Sequence, residues 1–140
     1  MKQKICIALD VDSPEQALDL TRRLAPWVGV FKIGSQLFTR AGPEIVRAII
    51  HEGGNVFLDL KYHDIPNTVL SAAREALALG VTMFNVHCLG GARMMKTLVE
   101  GLTREAEETG KPVPLLLGVT VLTSFSDEEL KSDLLVPLSL

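Results

Sequence analysis

The sequence has few of the features that mark secreted, metal-binding or nucleic-acid-binding proteins. Its two cysteines, Cys6 and Cys88, form no Cys-x-x-Cys motif and no histidine-rich spacing accompanies them, which argues against a disulfide framework and a metal site. We expect both cysteines to lie in buried strands, where a free thiol behaves as a small hydrophobic group. Lysine and arginine are scattered, and the net charge of -3 gives no electrostatic reason to expect nucleic acid or an anionic membrane as a partner.

Long apolar runs are also missing. Residues 5–9 are apolar, but Asp10 follows too soon for the core of a signal peptide. The most apolar window, residues 113–122, contains Pro114 and Thr120 and is well short of the ~20 residues needed to span a bilayer. These features predict a cytoplasmic protein that is not embedded in a membrane.

What the sequence does contain is typical of one compact domain. With 140 residues, 47% of them hydrophobic and 22% charged, the chain can bury a single core and does not have the composition of a disordered segment. No linker or low-complexity segment divides it. We therefore expect residues 1–140 to form a single domain.

Along this domain a short apolar strand followed by a helix recurs, with a period of roughly 25 to 32 residues, the size of a unit that builds parallel sheet. The predicted strands are residues 5–9, 28–33, 56–61, 82–87 and 114–119. The helix signals are the capping sequence 13–16, the apolar stripe Ile45, Val46, Ile49 and Ile50, a helix from about Asn67 to Gly80, the stripe Met95, Leu98, Val99 and Leu102, and a capping box at Ser126. The continuous apolar character of residues 5–9 predicts a strand that is covered on both faces.

Two α/β architectures use such units, the open doubly wound sheet and the TIM (β/α)8-type barrel. The first normally carries a glycine-rich phosphate loop after its first strand, and residues 10–13 contain no G-x-G-x-x-G. In the barrel, all strands end on one face, where the active site lies. Polar side chains do collect at the ends of the predicted strands, namely Asp10, Lys32, Asp59 with Lys61, Asn85 with His87, and Thr120 with Thr123. The sequence therefore predicts a TIM-type barrel.

The predicted barrel is incomplete. Five βα units do not close an eight-stranded barrel, and a complete one needs ~250 residues. We therefore expect about the first five units, with the first and fifth strands as open edges that are exposed to aggregation or to pairing with another chain.

The stretch 59–68 holds two acids and a lysine at a strand-to-helix junction. Alternation along the strand predicts that Asp59 and Lys61 project from the same face. A D-x-K-x-x-D motif alone would also fit a solvated loop of mixed charge. Likewise, Asn85 and His87 would fit hydrogen-bonded groups at the rim of the core.

The stretch 59–68 resembles the signature of orotidine 5'-phosphate decarboxylases, and the resemblance extends through the chain. Further matching segments, in the same order and spacing, are Ala8-Leu9-Asp10, Phe31-Lys32-Ile33-Gly34, Asn85-Val86-His87 with Gly90-Gly91, and residues 118–124. The shorter D-x-K-x-x-D motif is shared with metal-dependent relatives, the 3-keto-gulonate-phosphate decarboxylases and hexulose-phosphate synthases. The continuation 65–68 and Lys32 resemble the metal-free nucleotide decarboxylases instead.

The resemblance implies loss of carbon dioxide from orotidine 5'-monophosphate to give uridine 5'-monophosphate in pyrimidine synthesis, with no cofactor and no metal. It implies an alternating charged array of Lys32, Asp59, Lys61 and Asp64, because the electrons left at C6 of the pyrimidine cannot delocalise and fixed charges must stabilise them. Asp59 would face the substrate carboxylate. Lys61 would stabilise the carbanion and then protonate C6 as general acid.

The residues implied to bind the nucleotide substrate are Asp10, Lys32, Ile65, Thr68 and Thr123. Asp10 and Lys32 would contact ribose hydroxyls, and Thr123 would lie near the pyrimidine. Asp64, with Ile65 and Thr68, would reach into the site of a partner subunit, as in a homodimer with shared active sites.

The family holds the 5'-phosphate with an arginine and backbone amides of its last strands, and no segment of these 140 residues matches that part. Because phosphate binding normally supports such catalysis from a distance, we expect the isolated chain to be poorly active. The alternative from another class of function is a catalytically silent barrel fragment that acts only in assembly or folding.

Overall fold

The computed structural model describes residues 2–134, in which strands and helices alternate. The strands are β1 (Cys6–Ala8), β2 (Val30–Gly34), β3 (Val56–Tyr62), β4 (Met83–His87) and β5 (Leu115–Val119). The helices are α1 (Pro14–Leu24), α2 (Ser35–Ala41), α3 (Pro43–His51), α4 (Pro66–Leu79), α5 (Gly91–Thr109) and α6 (Asp127–Ser132), and short 3₁₀ helices cover Lys2–Lys4 and Cys88–Gly90.

The five strands form one parallel sheet in the order β1-β2-β3-β4-β5. Successive βα units of a barrel produce this sequential order, whereas a doubly wound sheet reverses direction near its middle. Because parallel crossovers are right-handed, the sequential order also places the connecting helices on one face of the sheet. The predicted α/β fold, five units of a TIM-type barrel, is confirmed.

Side-chain caps start the first and last helices, as the sequence predicts. At α1, Ser13 Oγ accepts a hydrogen bond from the Gln16 amide at 3.3 Å, and Gln16 Oε1 accepts one from the Asp12 amide at 3.2 Å. At α6, Ser126 and Glu129 form a reciprocal capping box with distances of 3.3 and 2.9 Å. The contacts to the Gln16, Ser126 and Glu129 amides satisfy donors that the first helical turn leaves without partners.

The second unit contains two helices where the sequence pattern predicted one. Gly42 separates α2 from α3 at φ +63°, and Pro43 is the first residue of α3. Glycine adopts positive φ without steric cost, and proline suits the first position of a helix because its missing N–H would be unpaired there. The Gly42-Pro43 pair therefore ends one helix and begins the next.

The hydrophobic core lies between the helices and the sheet face that they cover. Phe31, Leu58 and Phe84, from three neighbouring strands, are 1%, 1% and 0% exposed. Alternate residues of these strands point to the opposite face, which no helix within residues 2–134 covers. That second face carries the candidate site described below.

The buried stripe of α5 differs in part from the prediction. The buried residues of α5 are Met94, Leu98, Leu102 and Ala106. Leu98 and Leu102 were predicted correctly, but Val99 is 50% exposed and its predicted burial was wrong. The buried residues of α5 recur every four positions, and Val99 lies about 100° around the helix from Leu98, off this stripe.

The predicted burial of the cysteines was also wrong. Both are free, but Cys6 is exposed, and Cys88 is half-buried in the 3₁₀ helix that follows β4. The reason for Cys6 is that β1 is an edge strand, and within residues 2–134 no layer covers its helix-free face. The expectation that residues 5–9 are covered on both faces was wrong for the same reason. In the part of the chain that is described, no helix has the length and apolar character needed to cross a membrane.

Candidate functional site

Four charged side chains line up across the carboxyl ends of three neighbouring strands. Asp10 follows β1, Lys32 lies in β2, and Asp59 and Lys61 belong to β3. Lys32 Nζ is 3.0 Å from Asp10 Oδ1 and 3.8 Å from Asp59 Oδ2. Lys61 Nζ is 2.6 Å from Asp59 Oδ1. Negative and positive charges thus alternate along Asp10, Lys32, Asp59 and Lys61, which we call the charged row.

Parallel pairing brings these residues together although they are far apart in the sequence. Lys32 pairs with Ala8 of β1 on one side and with Phe57 of β3 on the other, and Gly34 pairs with Asp59. Asp59 therefore lies two residues beyond Phe57, the partner of Lys32, and points to the same sheet face as Lys32. The sequential strand order is what turns three separate strand ends into one row.

Asp59 is the least exposed carboxylate of the row, with 14% of its side chain accessible, against 68% for Asp10. Partial burial by itself raises the pKa of the Asp59 carboxyl. Hydrogen bonds from Lys61 and Asn85, together with the charges of Lys61 and Lys32, outweigh burial, and the pKa lies below its ordinary value. Asp59 is therefore ionised at neutral pH.

Lys61 lies in an irregular part of β3. Regular pairing with β4 is interrupted between Leu58 and Tyr62, so that residues 59–61 lie opposite Asn85 alone. Lys61 has φ +51°, and no other non-glycine residue among those described has positive φ. This backbone conformation costs a residue with a β-carbon about 1–3 kcal/mol. Simple alternation predicted the Asp59–Lys61 proximity, but the ion pair forms across a bulge that the sequence does not mark with glycine.

Asn85 joins the charged row to β4. Its side chain is buried, with 3% exposed, and its Nδ2 donates a hydrogen bond to Asp59 Oδ1 at 2.6 Å. Its Oδ1 accepts a hydrogen bond from the Lys61 backbone N–H at 2.7 Å. The sequence pattern identifies Asn85 as a polar residue at a strand end but does not predict its contacts in the site. The available signal was an amide between Phe84 and Val86 in a buried strand, because a buried amide must find partners.

The remaining residues implied to act on substrate lie outside the charged row. The Asp64 carboxylate accepts a hydrogen bond from the Ile65 amide at 2.6 Å, and within residues 2–134 it takes part in no ion pair. Ile65 is 68% exposed, and Thr68 and Thr123 are also exposed. The structure thus brings together Asp10 and three members of the implied array, and leaves these four residues at the surface.

His87, the other polar residue noted on β4, has a local structural contact. Its ring stacks on that of His63 with centroids 5.5 Å apart, and its Nδ1 accepts a hydrogen bond from the Leu89 amide at 3.3 Å. The side chain thereby caps the 3₁₀ helix after β4. Within residues 2–134, no three His, Cys, Asp or Glu side chains are grouped so as to share a metal ion.

The charged row can act on a bound anion in three ways. The ammonium of Lys61 can stabilise negative charge that develops next to it, because ion pairing with Asp59 already fixes its position. Its side chain is 39% exposed, so it can also donate a proton to a ligand and regain one from water. A ligand carboxylate near Asp59 would meet a like charge, which favours loss of that carboxylate.

Comparison with known sequences points to one family. The model of the "Orotidine 5'-phosphate decarboxylase / HUMPS family" matches residues 3–137. The chain is 58% identical over 131 residues to the orotidine 5'-phosphate decarboxylase of Syntrophotalea carbinolica, which covers 93% of this chain and 53% of that protein. It is 53% identical over 133 residues to the enzyme of the same name from Syntrophomonas wolfei, covering 95% of this chain and 56% of that protein.

A solved structure agrees with this result. The crystal structure of orotidine 5'-phosphate decarboxylase from Lactobacillus acidophilus superposes with a TM-score of 0.81 at 39% identity, over 96% of this chain and 60% of that one. The chain therefore spans about half the length of the curated relatives it matches.

Proposed function

The chain belongs to the orotidine 5'-phosphate decarboxylase / HUMPS family, and we propose that its charged row decarboxylates orotidine 5'-monophosphate to uridine 5'-monophosphate. The observation that carries this proposal is the alternation of charge along Asp10, Lys32, Asp59 and Lys61, with ion-pair distances of 3.0, 3.8 and 2.6 Å. The proposed reaction uses neither a cofactor nor a metal ion.

Lys61 is the proposed general acid. When the bond between C6 and the carboxylate breaks, carbon dioxide leaves and the electron pair stays on C6, where the ring cannot delocalise it. The Lys61 ammonium stabilises this charge and transfers a proton to C6. The resulting amine regains a proton from water, and the 39% exposure of the Lys61 side chain supports this step.

Asp59 is proposed to face the substrate carboxylate. Its lowered pKa supports the role, since an ionised Asp59 repels a substrate carboxylate and the repulsion disappears as carbon dioxide leaves. The same charge holds Lys61 in place before the proton is transferred. Asp59 would therefore contribute both to substrate destabilisation and to the position of the general acid.

The remaining assignments concern substrate binding and assembly. Asp10 and Lys32, at the β1 end of the row, are proposed to contact the ribose hydroxyls, and Thr123 the pyrimidine. Asp64, Ile65 and Thr68 are proposed to enter the site of a partner subunit in a homodimer. The exposure of all three supports this assignment, because side chains that serve a neighbouring site must be free on their own protomer.

Because the chain spans about half the length of its curated relatives, the test of this function supplies the other half. Residues 1–140 are joined to the second half of the relative that is 58% identical, to give a protein of full family length, which we call the joined protein. We expect the joined protein to convert orotidine 5'-monophosphate to uridine 5'-monophosphate, followed by absorbance, with the same rate before and after treatment with EDTA. Residues 1–140 alone should be poorly active, because they contain no match to the family's phosphate site.

Three outcomes would contradict parts of this account. Turnover of a sugar phosphate that EDTA abolishes would assign the chain to the metal-dependent relatives. A folded joined protein that is inactive on both substrates would favour a catalytically silent role for residues 1–140. Equal turnover by residues 1–140 and by the joined protein would refute the expected dependence on the second half.

A further inference from the structure

We propose that Asn85 is a positioning residue, which locks Asp59 and Lys61 into their relative arrangement across the bulge in β3. The contacts of Asn85 are sufficient to support its role in positioning Asp59 and Lys61. Its consequence for turnover rests on the proposed function. Asn85 is buried on the neighbouring strand β4 and contacts Asp59 and Lys61, so it acts through these two residues.

The contacts use both ends of the Asn85 amide. Nδ2 donates to Asp59 Oδ1 at 2.6 Å, and Oδ1 accepts from the Lys61 amide at 2.7 Å. A carboxylate can only accept and a backbone N–H can only donate, so these partners allow one orientation of the amide. Lys61 Nζ approaches the same Asp59 oxygen at 2.6 Å. Lys61 Nζ and Asn85 Nδ2 thus donate to the same Asp59 oxygen, while Asn85 Oδ1 accepts from the Lys61 backbone, so that each of the three residues contacts the other two.

The bulge in β3 leaves the Lys61 amide in need of a hydrogen-bond acceptor from a side chain. Residues 59–61 face a single residue of β4, so the regular ladder does not continue through the Lys61 amide. Asn85 Oδ1 supplies the missing acceptor and compensates a backbone at φ +51° that is unfavourable for lysine. The left-handed backbone of Lys61 sets the direction of its side chain, so the bond to Asn85 also determines where the ammonium lies.

The side-chain chemistry restricts which residue can fill this position. Alanine would leave the Lys61 amide and one lone pair of Asp59 without their partner in a part-buried region. An ionised aspartate has the shape of asparagine and can still accept from Lys61, but it cannot donate to Asp59 and adds a second negative charge. Asn85→Ala therefore removes both contacts, whereas Asn85→Asp removes one of them selectively.

The structural test uses NMR on the 140-residue chain. In Asn85→Ala, we expect the Asp59 carboxyl pKa to rise toward its ordinary value and the Lys61 amide to exchange with solvent at least about tenfold faster. In Asn85→Asp, the Asp59 pKa should rise further while the Lys61 amide keeps its protection. Asn55→Ala is the matched control, because Asn55 donates a part-buried hydrogen bond to the Gly29 carbonyl, away from the row. It should change neither readout.

The result that overturns the proposal is an unchanged Asp59 titration and an unchanged Lys61 exchange rate in folded Asn85→Ala. Retained signals from core residues such as Ala73 and Leu98 show whether each variant is folded. If Asn85→Ala does not fold, Asn85→Asp decides the question, and an unshifted Asp59 pKa in that variant also refutes the proposal.

The functional test uses the joined protein. Asn85→Ala should lower kcat by about tenfold or more with little change in KM, because the substrate contacts stay while the general acid is displaced. A lowered affinity with unchanged kcat would show that Asn85 does not act through Lys61. If the joined protein is inactive without any substitution, the proposed function fails, whereas the NMR measurements still decide the role of Asn85.

Discussion

Asp59 is the residue at which the other charges of the site meet. Both lysines of the row approach its carboxylate, at 2.6 and 3.8 Å, and Asn85 donates to it from the neighbouring strand. These partners more than offset the cost of partial burial, so the pKa of Asp59 lies below its ordinary value. Folding therefore favours the ionised form of this carboxyl.

This preference makes part of the stability depend on pH. For a carboxyl whose pKa is lower in the folded state, the contribution is present above the unfolded pKa of about 3.9 and is lost as pH falls toward the folded pKa. We expect the free energy of unfolding of the unmodified chain to fall more steeply between about pH 5 and about pH 3 than that of Asp59→Asn. Urea denaturation at several pH values measures both slopes. Parallel curves for the two proteins would contradict the proposed environment of Asp59.

The sequence predicted which residues form the charged row, but it did not predict the backbone bulge and the Asn85 contacts that position them. Polar residues at the ends of apolar strands must meet in a parallel sheet, so Asp10, Lys32 and Asp59 could be grouped without a structure. The positive φ of Lys61 could not be predicted, because lysine shows no local preference for it. The bulge depends on the neighbouring strand, through Asn85, and local sequence patterns do not contain that information.

At the scale of elements, the two edge strands differ from the strands between them. Among the residues that the structure describes, β1 and β5 each pair with one strand of the sheet. Leu115 and Leu117 of β5 are 58% and 37% exposed. An exposed edge with apolar side chains is a template for pairing with other chains. Cys6 is exposed because β1 is the edge strand on the opposite side of the sheet. The apolar run of residues 5–9 does not show that its strand lies at an edge.

A charged residue on the exposed edge of β5 should reduce self-association in solution. Leu115→Lys should reduce self-association of the 140-residue chain, because it places a charge on the open edge of β5. Its effect on the free energy of unfolding should stay within about 0.5 kcal/mol, because the side chain contributes little to the core. Sedimentation velocity and urea denaturation measure the two effects.

Ser71→Lys is the matched control for this substitution. Ser71 is an exposed residue of α4, so the variant adds the same charge away from β5. It should leave the distribution of oligomers unchanged. An equal decrease in both variants would attribute the effect to net charge and not to the β5 edge.

At the scale of the whole molecule, the parallel order β1 to β5 determines where the site lies. Because every crossover runs in the same direction, the helices cover one sheet face and the charged row lies on the other. The periodic alternation of apolar runs and capping signals predicted this order. The single-domain organisation, the homodimer and the cytoplasmic location stay predictions, and the chain spans about half the length of its curated relatives.

The most direct test of the central claim is the turnover of orotidine 5'-monophosphate by the joined protein carrying Lys61→Ala. Removing a general acid from its site should lower kcat by about 10²–10⁴-fold. The matched control is Lys96→Ala, which removes a lysine with 76% of its side chain exposed on α5 and should keep the rate of the unsubstituted joined protein. If Lys61→Ala also keeps that rate, the charged row is not the catalytic site.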